Sequence, residues 1–395
     1  MKNTGMLFFA FLFFAAAYGQ SVGINSSGLP PHSSAILDVR SSNKGLLVPR
    51  VFLNNIFDSI TIQHPAVSLL VFNINPALDG GSGFYAWNGN NWLLMMSATN
   101  SFVRGKNRFL TVVDGDAREY FVHVPKRYDG TTKVPVVFML HGTSGDGEKF
   151  YNESGWVEVS EDENIITVFP SSWRYCIVDG GVVKNTTKWN TTPDAEWVFC
   201  AGQTPRDDIK FLKRMITELK AKFSVDTAKM YLEGFSNGGQ MAAKCTIEMS
   251  DVFAAIVENA GSFYLDTTYT PKRKLPVLFE IGNGDWGPGN PGPFIPISYL
   301  NQILDSTFPV AQVNARFNRP ANRHVRYFGL NPNYNIIGDT SSLVVGLYTG
   351  LSGHPLNVFR YVFVDDLRHA YPDGSRHWLE AARYHWAWMK QYQLP

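Results

Sequence analysis

The chain has 395 residues, long enough for a sizeable core plus an accessory module, so two globular units are the starting expectation. Its 35 basic residues against 34 acidic ones exclude a broad basic field of the kind that binds nucleic acid or an anionic membrane. Three cysteines exclude a disulfide scaffold, and no metal-ligand spacing occurs.

At the N-terminus, Lys2 precedes the apolar stretch Met6–Ala17, which reads as a secretory signal too short to span a bilayer. Ala17 and Gly19 are the small residues before a cut at Gln20. Residues 1–19 are therefore expected to be removed, leaving a secreted, periplasmic or cell-surface protein. No later stretch reaches the roughly 18 apolar residues of a membrane helix. Residues 20–98 read as a small β-rich module, with strand-like runs Gly45–Val51 and Ser68–Asn75. Phe84–Trp92 alternates around Asn88-Gly89, a hairpin signal in which both central residues take positive φ. Val22-Gly23-Ile24, Ser34-Ala35-Ile36-Leu37-Asp38-Val39 and Lys44-Gly45-Leu46-Leu47-Val48-Pro49-Arg50 together resemble a short surface or tail-fibre-like module of secreted bacterial proteins. That resemblance implies attachment or trimerisation; a spacer is the other reading.

Residues 99–106 read as a linker, and residues 107–395 alternate apolar strand-like runs with amphipathic stretches, the pattern of a mostly parallel sheet covered by helices. Arg118–Val124 alternates as an edge or antiparallel strand would, and Val134–Leu140 is apolar throughout, as a buried central strand would be. Ile165–Phe169, Met230–Phe235, Phe253–Val257, Val277–Ile281 and Val358–Val364 continue the series, with helices expected over Asp208–Phe223 and Arg376–Gln391. Cys176 and Cys200 bracket one loop-like segment and are the candidate pair for a single bridge, leaving Cys245 as a buried thiol.

Gly234-Phe235-Ser236-Asn237-Gly238 matches G-x-S-x-G, with an apolar run before it and a helix-compatible run after it. Strand, sharp turn and helix in that order expose a serine hydroxyl at a helix head, where N–H groups favour developing negative charge. A serine needs a base, and the base needs an orienting carboxylate. The order Ser, acid, His leaves five histidines after Ser236, of which His369 follows a late strand, while His377 and His385 fall on the last helix and His324 and His354 carry no strand-end signal. Asp285 follows the strand Val277–Ile281 through a Gly-Asn-Gly turn and is the candidate acid; Glu280 lies inside that strand, and Asp365 and Asp366 sit too close in sequence to His369. The backbone N–H groups of Asn237 and Thr143, the latter after Leu140-His141-Gly142, are the candidate oxyanion donors. Trp286 and Tyr371 are candidate cleft residues, with Trp173, Trp189 and Trp197 as further loop aromatics.

Arg118-Glu119-Tyr120, Val124-Pro125, Leu140-His141-Gly142, Asp207-Asp208-Ile209, Gly234 to Gly239 and Arg368-His369-Ala370-Tyr371-Pro372 occur in an order that resembles the polyhydroxybutyrate depolymerase and feruloyl or acetylxylan esterase group of α/β-hydrolases. The resemblance covers about residues 105–392 and implies an α/β-hydrolase fold with Ser236, Asp285 and His369 as its triad. Leu367-Arg368 before His369, and the Gly- and Pro-rich run Trp286–Pro296, depart from that group and touch the cleft walls. The expectation is a secreted serine esterase without cofactor or metal, releasing feruloyl or acetyl groups from xylan. A polyester depolymerase, a prolyl-oligopeptidase-like peptidase and a non-catalytic glycan-binding protein are the alternatives.

Overall fold

The computed structural model describes residues 21–78, 80–97, 102–179, 181–191, 198–263, 270–339 and 341–395. The signal-peptide expectation over 1–19, most of the 99–101 end of the expected linker, and Trp197 lie outside the described residues. The chain divides into two compact units, Met1–Thr99 and Asn100–Pro395.

In the first unit, β1 (Val22–Ile24) pairs in parallel with β2 (Leu37–Val39). A separate sheet runs β3 (Arg50–Val51), β4 (Leu70–Asn73), β5 (Gly83–Trp87) and β6 (Trp92–Ser97). Strand alternation puts Tyr85 and Trp87 inward with Val71, Leu53 and Trp92. Gly45–Val51 contributes only its last two residues to a strand. The expected hairpin forms, but with a longer turn: Asn88 Oδ1 accepts from the N–H groups of Asn90 and Asn91 (2.8 Å each), and of the Asn88-Gly89 pair only Gly89 takes positive φ. The Asn88 side chain does the turning that a left-handed backbone would otherwise do.

In the second unit the strands are β7 (Gly105–Val113), β8 (Asp116–Val124), β9 (Val134–Leu140), β10 (Ile166–Pro170), β11 (Trp173–Asp179), β12 (Val182–Lys188), β13 (Val225–Phe235), β14 (Ala255–Asn259), β15 (Val277–Gly282), β16 (Leu330–Asp339), β17 (Leu343–Gly350) and β18 (Val358–Val364). The helices are α1 (Gly147–Glu153), α2 (Trp156–Glu163), α3 (Asp208–Lys222), α4 (Asn237–Glu248), α5 (Leu300–Leu304), α6 (Ala311–Val313), α7 (Arg319–Phe328) and α8 (Ala381–Met389). A ten-stranded sheet runs β16-β17-β18-β15-β14-β13-β9-β10-β8-β7. Its centre, β10 to β18, is parallel, and β7, β8, β16 and β17 are antiparallel additions. The swap of β9 and β10, with a serine turn between β13 and α4, is the α/β-hydrolase fold.

The central strands read as continuous apolar runs because both faces are covered. Val136, Phe138 and Leu140 of β9 enter one core, while Val137 and Met139 enter the other. On α3, Asp207 caps the N-terminus by accepting from Lys210 N–H, Lys220 and Lys222 sit at the C-terminal end, and Phe211, Leu212, Met215 and Leu219 are buried. Arg118 of β8 and Asp208 of α3, both buried, pair at 2.7 Å. The expected antiparallel strand over Arg118–Val124 is β8, while two boundaries differ from expectation: β7 begins at Gly105, inside the expected linker, and the last helix starts at Ala381, so His377 precedes it.

Beneath the sheet's functional edge, His385 of α8 is wholly buried between two glutamates. Its Nδ1 faces Glu233 Oε1 (2.9 Å) on β13 and its Nε2 faces Glu280 Oε2 (3.0 Å) on β15, and all three side chains are 0% exposed. Asn259 Nδ2 donates to Glu280 (2.7 Å), and Trp156 Nε1 donates to Glu233 (3.1 Å). Burial opposes the imidazolium, but the two carboxylates outweigh it and raise the His385 pKa to about 10. An unfolded histidine titrates near 6.5. Between those values the folded protein holds a proton that the unfolded chain releases, so this stabilisation is complete below about pH 6.5 and lost as pH rises through about 10. Denaturant unfolding at pH 6, 8 and 10 should show stability falling across the series. His385→Gln should lose about 3–5 kcal/mol at pH 6, with a deficit that shrinks toward pH 10.

Candidate active site

β13 ends at Phe235 and α4 begins at Asn237, so the reversal from strand to helix falls on Ser236 alone, at φ 55° and ψ −116°. That backbone is held on both sides: Ser236 N–H donates to Asn259 O (2.8 Å), and Ser236 O accepts from Gln240 N–H (2.9 Å). The turn is tight enough that a Cβ on Gly234 would collide with Gly238 O, and one on Gly238 with Leu140 O. The glycines of the motif are therefore steric requirements of the strained serine.

The structure brings the three expected residues together. Ser236 Oγ lies 2.8 Å from His369 Nε2, and His369 Nδ1 lies 3.0 and 3.1 Å from the two carboxylate oxygens of Asp285. With Nδ1–H donating to Asp285, Nε2 is free to accept from the serine hydroxyl. Asp285 is fully buried, and His369 packs its ring against Phe235 (5.2 Å). Burial alone would raise the Asp285 carboxyl, but the hydrogen bond and charge of His369, the Arg316 guanidinium and the Gly287 N–H hold it below its ordinary value.

Arg316 escaped the sequence reading. Its Nη2 donates to Asp285 Oδ1 (2.7 Å) and its Nε to Asp285 O (2.8 Å), fixing side chain and backbone of the acid at once. It comes from an irregular helical turn, Asn314–Asn318, whose sequence carries no motif.

The loop after β9 runs beside the serine: a Cβ on Gly142 would press on Ser236 Cβ and Phe235. Among the described residues, the backbone N–H groups of Thr143 and Asn237 have no acceptor. His141 sets this loop. It is buried, donates from Nδ1 to Gly142 O (2.6 Å) and accepts Ser172 N–H at Nε2 (3.0 Å), and burial pushes its pKa down to about 4. Trp189 adds a second tie: its Nε1 donates to His141 O (2.8 Å), and its N–H donates to Asn237 Oδ1 (2.7 Å).

Ser236, His369, Thr143 and Asn237 line a cavity of about 490 Å³ together with Ile177, Val198, Phe199 and Arg316. Two expected cleft residues are not among those lining it. Trp286 turns toward Phe317 (5.3 Å), donates to Pro293 O (2.7 Å) and lines an adjoining cavity of about 690 Å³. Tyr371 packs between Phe150 and Phe235 (5.9 Å each), its hydroxyl buried beside Glu233, and lines another cavity of about 500 Å³ on the far side of His369. Their sequence neighbours set the direction: Gly287 frees the chain after Trp286 to fold back, and Pro372 follows Tyr371 into a buried position. Trp189 is buried and also lines the Ser236 cavity, and Trp173 packs on the β11–β12 ribbon cluster.

Cys176 and Cys200 are bonded, with Cα atoms 5.4 Å apart, and Cys245 is buried with its thiol pushed up by desolvation. The bridge fastens β11 to the Val198–Phe199 segment, which also pairs with Ile177.

Comparison with known proteins gives two family matches, the phage tail like trimerisation region over residues 23–106 and the prolyl oligopeptidase family over residues 195–303. Feruloyl esterase B of Piromyces equi is 25% identical over 172 residues, covering 42% of this chain and 29% of its own. Poly(3-hydroxyalkanoate) depolymerase C of Paucimonas lemoignei is 24% identical over 248 residues, covering 60% and 55%. The chain thus spans less than two thirds of either curated relative. Among solved structures, an acetyl xylan esterase from Aspergillus awamori covers 72% of this chain and 99% of its own at 13% identity, with a TM-score of 0.48. The family matches and the curated relatives fit both resemblances carried by the sequence motifs.

Reducing the Cys176–Cys200 bridge, or replacing both residues by serine, should cost about 3 kcal/mol by loop-closure entropy. A thermal melt with and without reductant should show the lower midpoint.

Proposed function

We propose that this chain is a secreted serine ester hydrolase acting on ester-bearing plant polysaccharide, releasing acetyl or feruloyl groups from xylan. The carrying observation is the continuous hydrogen-bonded line from Ser236 Oγ through His369 to the buried Asp285, opening on a cavity beside two N–H groups that have no acceptor among the described residues. In this reading Ser236 attacks the ester carbonyl while His369 takes its proton, and Asp285 stabilises the imidazolium. The N–H groups of Asn237 and Thr143 receive the oxyanion. His369 then returns the proton to the leaving alcohol, and water repeats the sequence on the acyl-enzyme. The matched feruloyl esterase supports a feruloyl ester as substrate. The matched depolymerase supports a polyester in its place, and the prolyl oligopeptidase family match supports a peptidase.

Hydrolysis of p-nitrophenyl acetate, acetylated xylan, methyl ferulate, poly(3-hydroxybutyrate) and a proline-containing peptide should rank these. Ser236→Ala should lower kcat on the ester by about 10⁴–10⁶-fold. Activity confined to the peptide overturns the esterase reading.

For the N-terminal unit we propose self-association into trimers, supported by the trimerisation-region match and by its apolar exposure. Ile36, Leu47 and Ile60 are 79, 82 and 83% exposed, and a two-stranded sheet such as β1–β2 is marginal without further packing. Light scattering on the full chain should give three times the monomer mass, and Ile36→Asp with Leu47→Asp should reduce it to one. A monomeric wild type would leave the unit as a spacer.

A further inference from the structure

Among the described residues, the cavity that holds Ser236 carries a positive charge that its lining does not neutralise. Lys184, Lys188 and Arg316 line it, and Asp179 is the acidic residue among the described lining. Lys184 is paired with Asp179 (2.9 Å), and Arg316 is committed to Asp285 (2.7 Å). Among the described residues Lys188 has neither hydrogen bond nor ion pair. Burial pushes its pKa down, and among the described residues the charge of Asp179 acts in the other direction.

Lys188 is also fixed in position. It closes β12, in register with Trp173 of β11. The residue before it, Thr187, accepts Ser144 N–H (3.0 Å) and donates its hydroxyl to Gly145 O, while the residue after it, Trp189, is bonded to Asn237 and His141. The same ties that set the candidate oxyanion loop therefore set the base of the Lys188 side chain. A partly desolvated ammonium without a counter-charge costs the folded protein free energy, and the cost is recovered when an anion enters beside it. Neither the attack on a carbonyl nor the oxyanion site described above requires this cation. An ammonium is a compact point charge rather than a planar fork, and it suits one carboxylate at the end of a flexible or ring substituent.

Resting on the esterase reading, we propose that Lys188 is a specificity-determining residue that binds a carboxylate carried by the ester substrate. The carboxylate belongs to one of two places, the acyl group, as in a dicarboxylic half-ester, or the alcohol, as in a uronic acid residue of the polysaccharide. Both present the same chemistry to the lysine.

The test measures kcat/KM on two matched pairs: mono-p-nitrophenyl succinate against p-nitrophenyl butyrate, and acetylated methyl glucuronide against acetylated methyl glucoside. The wild type should prefer the acidic member of one pair by about tenfold or more, and which pair it is assigns the carboxylate to acyl or alcohol. Lys188→Arg should keep the preference, Lys188→Met should bring the ratio near one, and Lys188→Glu should invert it. About 0.5 M salt should shrink the wild-type ratio. Absence of any acidic preference with normal hydrolysis of the neutral esters overturns this proposal alone, as does a preference that survives in Lys188→Glu. Absence of all ester hydrolysis overturns the esterase reading and this proposal with it.

Discussion

Two buried carboxylates near the ends of parallel strands cost free energy unless a cation reaches both, and His385 is that cation. Glu233 lies on the strand that ends in Ser236, and Glu280 lies on the strand that leads to Asp285. Asn259, on the strand between them, donates its amide to Glu280 and accepts the Ser236 N–H at its carbonyl. The imidazolium thus joins the ends of three strands and α8, with Tyr371 buried beside Glu233 from the His369 loop. Removing one member leaves an uncompensated buried charge beneath the whole strand-end edge, which costs more than the pair itself contributes.

This arrangement explains what the amino-acid sequence could and could not reveal. The parallel strands were legible because strands buried on both faces must be apolar at every position, as in Val134–Leu140. Ser236, Asp285 and His369 were legible for a related reason: each follows such a strand directly, and functional groups gather at the carboxyl ends of parallel strands. His385 was indistinguishable from an ordinary packed or solvent-facing histidine, because its partners are 152 and 105 positions away in the chain. Arg316 stands in an irregular turn with no strand or motif to point at it. The β16–β17 extension was hidden by Asn331, Pro332, Asn333 and Asn335, residues that read as loop; Tyr334 on it stacks near Tyr348 (5.2 Å) all the same.

The misplaced aromatics carry a second lesson. Trp286 and Tyr371 follow the acid and the base closely, so sequence proximity placed them in the cleft. A large ring beside a catalytic loop has two physical uses, however, and here the rings brace the loops from behind. Tyr371 packs against both Phe150 and Phe235, and Phe235 in turn supports the His369 ring. The cavity wall is instead built from the β11–β12 ribbon and the disulfide-fastened segment around Val198 and Phe199. The cavity beside Ser236 is thereby walled by an excursion from the fold, while Ser236, Asp285 and His369 follow strands of its sheet.

The neutral, buried His141 shows how closely those two parts are joined. Its Nε2 accepts a backbone N–H and its Nδ1 donates to a carbonyl, so each nitrogen has one role and protonation would break the first bond. With a pKa held down to about 4, it stays neutral through the range in which a histidine base operates. The loop bearing Gly142 and Thr143 is therefore held in one conformation across that range. Because Trp189 bonds both His141 and Asn237, a shift of the β12 end would move both candidate oxyanion donors together. The end of β12 and the two segments that flank Ser236 are then one mechanical unit.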